Sequence, residues 1–314
     1  MAYDLYPVSS SLSRPVIAGR ITNYANKVGA GLLLDTANLS QNSLPRLSQS
    51  IQRNGFQGPF GSPYVKSTIS RNSKARELSN AGFPNMAHRK VSGDENFWCR
   101  EFENGSADDP EGFSVPGDIW KWTRDGKAHS PERIILEFED GLPVAVNGIR
   151  KPMVVDMISL LSPMVGKFGH GRSVGLEAIA SGEKVLELRE APATTIIMNA
   201  RRHLETATLS TETLRHKRSL GQQWVDEVIA GRWQSKIHQI CEAAITAVSV
   251  GVSGNVTYEI SHRRFLPYSF TVVQPLYIRD RDAWEHDAAL ESCAKTTDIV
   301  RFLRNIANDS TEVG

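Results

Sequence analysis

The sequence lacks several features that mark common classes of protein. It contains no apolar run close to the roughly 20 residues that a membrane-spanning helix needs. Its first residues, MAYDLYPVSSS, do not show the basic-then-apolar pattern of a signal peptide. Its 36 lysines and arginines almost balance its 35 aspartates and glutamates, so there is no basic field that would attract nucleic acid. We therefore expect neither a membrane nor a nucleic acid among the partners of this chain.

Cysteine and paired histidine are also scarce. Cys99, Cys241 and Cys293 are odd in number and widely separated, which matches no zinc-binding spacing and suits the reducing cytoplasm. None of the eight histidines has another histidine four residues away, so the helical metal-binding pair is missing from the sequence. These features predict a cytoplasmic protein without a structural metal.

The rest of the sequence is typical of a large α+β chain. Its 314 residues can bury an extensive core in one or two domains. Apolar spacing and end signals predict helices over 9–30, 42–54, 73–82, 153–169, 194–250 and 283–307. Gly221 and Gly231 are expected to interrupt the longest of these stretches. Alternating apolar residues predict hairpins over 133–146 and 254–275.

The first helix has four apolar residues at helical spacing. Val16, Ile17, Ile21 and Ala25 are expected to form its buried face. The segment GLLLD, residues 31–35, then predicts a short buried strand. A strand followed by polar residues and a helix is a common ligand-binding arrangement in open α/β sheets.

The stretch GKFGHGRSVGLEAIASGEKVLELREAP, residues 166–192, concentrates the turn signals of the chain. Gly166, Gly169 and Gly171 each cost about 1 kcal/mol inside a helix, so they predict a loop whose backbone passes close to another segment. A tight helix-to-sheet connection is the simpler interpretation. His170 is either a general acid or base, or a loop residue hydrogen-bonded to backbone.

This stretch resembles the argininosuccinate synthase family, which carries G-K-x-G-x-G-R, then a glutamate, then Tyr-Glu-Thr-Pro. The matching residues are Gly166, Lys167, Gly169, Gly171, Arg172, Glu177, Gly182, Lys184, Glu190, Pro192 and Thr195. The resemblance also covers SGDENFW at 92–98 and runs from the first residues to about Trp233. It implies a mixed sheet with β-hairpins and long helices in a synthetase and multimerisation domain over 1–282. It further implies a C-terminal oligomerisation helix over 283–314 and a homo-oligomer, dimer or tetramer.

The nucleotide-binding loops of the family have no counterpart here. Those synthases begin with S-G-G-x-D-T-S, whose backbone amides cradle pyrophosphate, whereas this sequence has neither SGG nor G-x-x-x-x-G-K-S/T. A second family loop corresponds to residues 35–47, where side-chain-bearing Thr36, Leu39 and Gln41 replace glycines and Ser40 replaces a lysine. Because glycines allow backbone donors to approach phosphate, we expect no cofactor, and no ATP binding without a partner domain.

The amino-acid site of the family is better matched. The resemblance places it at Tyr6, Ser10, Ser11, Asn42, Arg46, Ser92 and Glu177. In such a site the Arg46 guanidinium can form a bidentate hydrogen-bonded pair with an α-carboxylate, and Glu177 can form an ion pair with an α-ammonium group. No catalytic residue can be assigned from the sequence.

Two positions depart from the family within this site. Glu101 stands where the family has a serine, and Arg189 stands where it has a tyrosine. Either the pocket is adapted to a ligand with another charge pattern, or the two residues pair with each other in an inactive site. Cys99 replaces a glycine, and because no adjacent base is evident we expect it to pack rather than react.

Three functions are compatible with these observations. The first is a repurposed enzyme of amino-acid metabolism that binds a citrulline- or arginine-related amino acid without an ATP loop of its own. The second is a subunit of a split ATP-dependent carbon–nitrogen ligase, and the third is a non-catalytic partner of a true synthase. The retained site favours the first.

Overall fold

The computed structural model describes residues 1–39, 41–84, 91–123 and 130–309. These residues form two compact units, one that ends at residue 273 and one that begins at residue 274. The first unit ends before the predicted boundary at residue 282. The helices are α1 Ser10–Lys27, α2 Ser43–Arg53, α3 Arg71–Asn80, α4 Val154–Gly166, α5 Pro192–Thr208, α6 Thr211–Ile229, α7 Lys236–Ser249 and α8 Arg281–Asp309. Within the described ranges, no helix combines the length and the apolar character needed to cross a membrane.

The strands form three sheets. They are β1 Leu33–Leu34, β2 Phe60–Gly61, β3 Ser92–Glu95, β4 Arg100–Glu103, β5 Glu132–Glu139, β6 Leu142–Val146, β7 Ile149–Arg150, β8 Arg172–Ala178, β9 Lys184–Glu190, β10 Gly254–Ser261 and β11 Arg264–Val272. β1 and β2 pair in parallel. The orders β11-β10-β5-β6-β7 and β3-β4-β9-β8 are antiparallel throughout. The α+β class is confirmed, with parallel and antiparallel pairing in separate sheets.

The five-stranded sheet supports the main core. Leu136 and Phe138 lie buried on one face of β5, and the turn at Asp140 and Gly141 has the two positive φ angles, +47° and +75°, that a tight hairpin requires. Helix α5 packs on β10 and β11 and against α4. Both predicted hairpins are therefore confirmed.

The buried face of α1 differs from the sequence prediction. Val16, Ile17 and Ile21 are 65, 40 and 44% exposed, and only Ala25 of the four predicted residues is buried. Small side chains let α1 approach its neighbours closely, so the buried positions are Ser10, Ser11, Ala18, Thr22 and Ala25. The prediction of a buried strand over 31–35 is also wrong. The strand is only two residues long, and the side chains of Leu32 and Leu34 are more than half exposed.

The long helices follow the prediction except at Gly221. This residue lies inside α6, where a methyl group at its Cα would meet no atom within 4 Å. The helix continues because packing of α6 on α7 outweighs the roughly 1 kcal/mol that an internal glycine costs. Gly231, with φ +76°, follows the end of α6 as predicted.

The glycine-rich loop passes against backbone, as its composition predicts. A Cβ at Gly166 would lie 1.9 Å from the Trp122 carbonyl oxygen, and one at Gly171 would lie 2.4 Å from the Pro192 Cα. Gly171 also has φ +108°, and its carbonyl accepts a 2.7 Å hydrogen bond from the Ala191 amide. The loop thus fixes the start of β8 against the junction between β9 and α5.

Substituting Gly171 with alanine should therefore destabilise the fold mainly through this contact. Gly182 is the matched control, because it has a similar φ of +100° but open space around its Cα. We expect Gly171→Ala to lower the free energy of unfolding by about 1–3 kcal/mol more than Gly182→Ala, the usual cost of overpacking. Urea denaturation of both variants measures this, and equal losses would contradict the close-approach argument.

Candidate functional site

A cavity of about 430 Å³ lies where α1, α2 and the segment after β1 face the four-stranded sheet. Its wall includes six of the nine predicted site residues: Ser10, Asn42, Arg46, Ser92, Glu101 and Glu177. Its wall also includes the apolar residues Ile17 and Ile21 of α1. Their exposure in α1 is explained by this position at the cavity.

Arg46 connects four parts of the chain at the base of the cavity. Its side chain is 2% exposed. The Nε atom donates to the Ile229 carbonyl at 2.8 Å, Nη1 donates to Ser10 Oγ at 2.9 Å, and Nη2 donates to Glu177 Oε1 at 2.6 Å. The guanidinium thus joins α2 to α1, β8 and the end of α6. A clamp in which Arg46 and Glu177 hold opposite ends of an amino acid stays a prediction, because here the two groups bind each other.

Glu177 joins two buried guanidiniums. It lies on the inward side of β8, where Oε1 accepts from Arg46 and from Asn42 Nδ2 at 3.1 Å. The other oxygen, Oε2, accepts from Arg189 Nη2 at 3.1 Å. Burial would raise the pKa of this carboxyl, but Arg46 and Arg189 together outweigh burial and lower its pKa. Glu177 is therefore a fixed carboxylate.

Arg189 is enclosed by carboxyl groups behind the cavity wall. It is 0% exposed, donates from Nη2 to Glu177 and Glu187, and lies 4.0 Å above the ring centroid of Tyr6. Its Nε is 3.7 Å from Glu101 Oε2, close enough for an ion pair but without a hydrogen bond between these atoms. The β4–β9 register places Glu101 directly opposite Arg189, so the two departures from the family contact each other.

The carboxyl groups of this cluster outnumber the cations that face them. Burial raises the pKa of Glu187 well above its ordinary value, against the opposing effect of Arg189. Burial likewise raises the pKa values of Glu101 and Glu103. One Glu101 oxygen accepts from the Ser10 amide at 3.1 Å, whereas Oε2 has no hydrogen-bond donor in the part of the chain that the structure describes. The cluster therefore favours protonation of part of its carboxyl groups.

Tyr6 and Ser11 lie outside the cavity wall, like Arg189. Tyr6 is fully buried beneath Arg189, and its hydroxyl donates to the Leu176 carbonyl at 3.2 Å. Ser11 is buried, and its carbonyl accepts from Trp233 Nε1 at 2.9 Å. These residues support the site from behind. Ser40, at the rewritten loop, lies outside the described residues.

His170, Cys99 and the motif residue Lys167 do not line the cavity. His170 Nε2 is 2.7 Å from the Ser261 carbonyl oxygen. This contact agrees with the alternative in which His170 is a loop residue hydrogen-bonded to backbone. Cys99 is fully buried, and burial raises the pKa of its thiol, which agrees with a packing role. Lys167 donates to Glu132 at 2.6 Å.

Comparison with known proteins assigns the chain to a family. Residues 91–293 match the model of the arginosuccinate synthase C-terminal domain. The argininosuccinate synthase of Pyrobaculum aerophilum is 33% identical over 83% of this chain and 66% of its own length. The chain belongs to the argininosuccinate synthase family. Synthases of Hyperthermus butylicus and Dictyoglomus thermophilum are 32% and 30% identical over 82% and 96% of this chain and 65% and 74% of their own lengths. The chain spans about two thirds of the length of the first two relatives.

Four residues of the cavity wall were not among the predicted site residues. Asp35, Asp94, Glu103 and Glu187 also line the cavity. Strand periodicity could have identified two of them, because Glu103 shares a face of β4 with Glu101, and Glu187 shares a face of β9 with Arg189. The position of Asp35 and Asp94 depends on how separate segments meet, which strand periodicity does not encode.

The contact between Glu101 and Arg189 predicts strong energetic coupling. Arg189→Tyr alone leaves Glu101, Glu177 and Glu187 without their shared cation and should cost about 3–5 kcal/mol in the free energy of unfolding. Adding Glu101→Ser, so that both positions carry the residues of the family, should recover at least about 1 kcal/mol of that loss. Urea denaturation of the wild type, both single variants and the double variant gives the coupling.

The control cycle uses Glu139 and Arg150, a hydrogen-bonded pair on the surface of the first hairpin. Solvent screens this exposed pair, so Glu139→Ser and Arg150→Tyr should combine almost additively. Additivity at Glu101 and Arg189 as well would show that the two departures are independent.

The raised pKa of Glu187 predicts a pH dependence of stability. A carboxyl that holds its proton more tightly in the folded state stabilises the fold at pH values below its unfolded pKa, and this contribution is lost as the pH rises through its folded pKa. Arg189 opposes this shift, whereas Glu101, Glu103 and Glu177 reinforce it. Glu187→Gln keeps the side chain neutral at every pH. In this variant the free energy of unfolding should therefore fall less as the pH rises above the ordinary pKa range of glutamate.

Melting temperatures at a series of pH values measure this effect. Glu212→Gln is the control, because Glu212 is exposed on the first turn of α6 and its loss changes net charge equally. A pH profile of Glu187→Gln that coincides with those of the wild type and of Glu212→Gln would contradict the assignment.

Proposed function

We propose that this protein binds a citrulline- or arginine-related amino acid in the cavity between α1, α2 and the four-stranded sheet. It acts in this proposal as a repurposed cytoplasmic enzyme of amino-acid or amino-acid-derived metabolite biosynthesis that does not bind ATP by itself. The observation that carries the proposal is the convergence of Ser10, Asn42, Arg46, Ser92, Glu101 and Glu177 on one cavity. These residues are widely separated in the sequence, and their meeting at one cavity supports the proposal of a binding site.

The shape and lining of the cavity suit such a ligand. Its volume of about 430 Å³ falls within the usual range for small-molecule sites. Ile17 and Ile21 of α1 offer apolar surface to an aliphatic chain, while the strands of the sheet offer carboxyl groups and the Ser92 hydroxyl to its polar ends. An amino acid with a long side chain and a polar end group has the same division.

A split ligase is the second candidate, and a specific surface favours it. Leu34 belongs to a parallel strand pair and Leu32 precedes it, and the two side chains are 58 and 54% exposed. Parallel sheets are normally covered on both faces. Another polypeptide carrying a nucleotide-binding domain would cover such a surface.

Calorimetric titration with a panel of amino acids tests the proposal. A variant with a larger side chain in the cavity tests whether the ligand binds there. Ser43 lines the cavity on α2, whereas Gln49 is exposed on the same helix and faces a different hollow. Ser43→Tyr should weaken binding of a citrulline- or arginine-related ligand at least tenfold because the ring occupies the cavity. Gln49→Tyr should leave the dissociation constant unchanged.

Two outcomes would count against this function. If no amino acid of the panel binds up to millimolar concentration, the site does not take such ligands. If ATP with Mg²⁺ gives a micromolar dissociation constant in a parallel thermal-shift titration, the chain binds nucleotide without a partner, against the expectation from its rewritten loop.

The C-terminal segment 283–314 is proposed to join copies of this chain into a dimer or tetramer. Helix α8 carries Trp284, Leu290, Ile299 and Val300, each more than 40% exposed. Large exposed apolar residues on one helix are typical of an interaction surface. The apolar residues at 302, 303 and 306 have side chains outside the described part of the chain.

Light scattering of the full chain and of a chain cut after residue 281 measures the role of this helix. The full chain should be oligomeric at micromolar concentration, and the shortened chain should be monomeric. An assembly that survives the truncation would place the interface elsewhere, and a monomeric full chain would refute the oligomer itself.

A further inference from the structure

We infer that the cavity selects a ligand carrying a guanidinium or amine cation over a neutral ligand of the same shape. This inference rests on the proposed function, because it concerns which amino acid the same cavity takes. The described residues of the wall include two guanidiniums, those of Arg14 and Arg46. They also include six carboxyl groups, those of Asp35, Asp94, Glu101, Glu103, Glu177 and Glu187.

Both guanidiniums of the wall are already engaged by the protein. Arg14 donates from Nε to Ser43 Oγ at 3.3 Å and places Nη1 3.0 Å from Asp94 Oδ2. Arg46 is held by three hydrogen bonds to Ser10, Glu177 and Ile229. A ligand carboxylate could use either cation only by displacing one of these partners. The wall therefore offers little to an additional negative charge.

The carboxyl groups, in contrast, retain unused acceptor capacity. Glu101 lines the cavity with 93% of its surface buried, and its Oε2 has no hydrogen-bond donor among the described residues. Buried Asp35 Oδ2 also has none, whereas Asp94 Oδ2 is paired with Arg14 Nη1 at 3.0 Å. A buried acceptor without a donor costs free energy that a donating ligand recovers. Two such oxygens on one wall indicate a ligand rich in N–H groups.

Arg189 does not reverse this conclusion. Two of its nitrogens, Nε and Nη1, also lack hydrogen bonds. The side chain is fully buried behind the wall, however, and Arg189 does not line the cavity. Its charge is shared among Glu101, Glu177 and Glu187, of which burial gives Glu101 and Glu187 raised pKa values. Even with Arg189 included, carboxyl groups are in excess.

A cation and a neutral group of the same shape form different interactions with the carboxyl groups of this wall. A guanidinium presents up to five N–H donors and a positive charge, which suits several carboxylate oxygens at once. The ureido group of citrulline has nearly the same shape, but it carries no charge and replaces one nitrogen by a carbonyl oxygen. That oxygen would face carboxylate oxygens without a donor between them. Sites built to hydrogen-bond a particular group discriminate strongly against an analogue that lacks it.

Charge selection also predicts that binding is linked to protons. A ligand cation favours the ionised form of nearby carboxyl groups, so protons should be released on binding and the affinity should rise with pH. The charged groups that face this part of the site are Arg14, Asp35, Arg46, Asp94, Glu101, Glu103, Glu177, Glu187 and Arg189. A neutral ligand should show a much smaller change.

The decisive experiment titrates the full chain with arginine and citrulline by calorimetry, in two buffers of different ionisation enthalpy. Arginine should bind at least tenfold more tightly and release protons. Glu101→Gln should reduce this preference at least tenfold and diminish proton release, because the charge is lost while the size is kept. Glu212→Gln, on the exposed first turn of α6, should change neither quantity.

The outcomes separate this inference from the proposed function. If citrulline binds as tightly as arginine, or more tightly, amino-acid binding stands and cation selection is refuted. Agmatine, which is arginine without its carboxylate, tests the reverse case: if it alone binds, cation selection stands and the amino-acid function fails. If none of the three binds up to millimolar concentration, both are refuted. A preference for arginine that Glu101→Gln leaves intact would refute the role of this wall.

Discussion

The structure around the cavity depends on the placement of Glu177 between two buried guanidiniums. One carboxylate oxygen accepts from Arg46 and the other from Arg189, and all three side chains are at most 3% exposed. Removing charges from water costs several kcal/mol for each ion, so such groups persist in an interior only when they are paired. Because Arg46 also binds α1 and the end of α6, this requirement fixes two helices against β8.

The same requirement explains why Glu101 and Arg189 occur together. A guanidinium introduced at position 189 alone would lie in a fully buried place beside Tyr6, with Glu177 already engaged by Arg46. Glu101 faces it from the adjacent strand, and Glu187 binds it on its own strand. The pairing that could mark an inactive site therefore leaves an excess of carboxyl groups at the cavity. It is compatible with an adapted pocket, since one Glu101 oxygen still lacks a donor.

Local physics made much of the fold predictable. The first hairpin could be predicted because alternation along β5 and an Asp-Gly turn agree with each other. The glycine loop could be predicted because Gly171 combines positive φ with a backbone contact that no side chain permits. Periodicity failed on α1, since it identifies apolar positions but not whether the opposing surface is core or cavity. At Gly221 tertiary packing outweighed intrinsic propensity. The resemblance located six wall residues, but it could not reveal Glu187, whose importance comes from its neighbours in space.

Two departures from ordinary folding rules coincide at the cavity. Ile17 and Ile21 expose apolar surface that a helix of this kind normally buries, and they lie on one side of the hollow. Glu101 buries a carboxyl oxygen that has no donor among the described residues, and it lines the same cavity. Each departure costs free energy in the isolated chain, by hydration of apolar surface in one case and by loss of hydration in the other. A ligand with an aliphatic chain and a donating cationic end would relieve both costs at once. Natural sequences depart from such rules mainly at functional sites, and the coincidence of two unrelated departures in one cavity favours a binding site over a vestigial one.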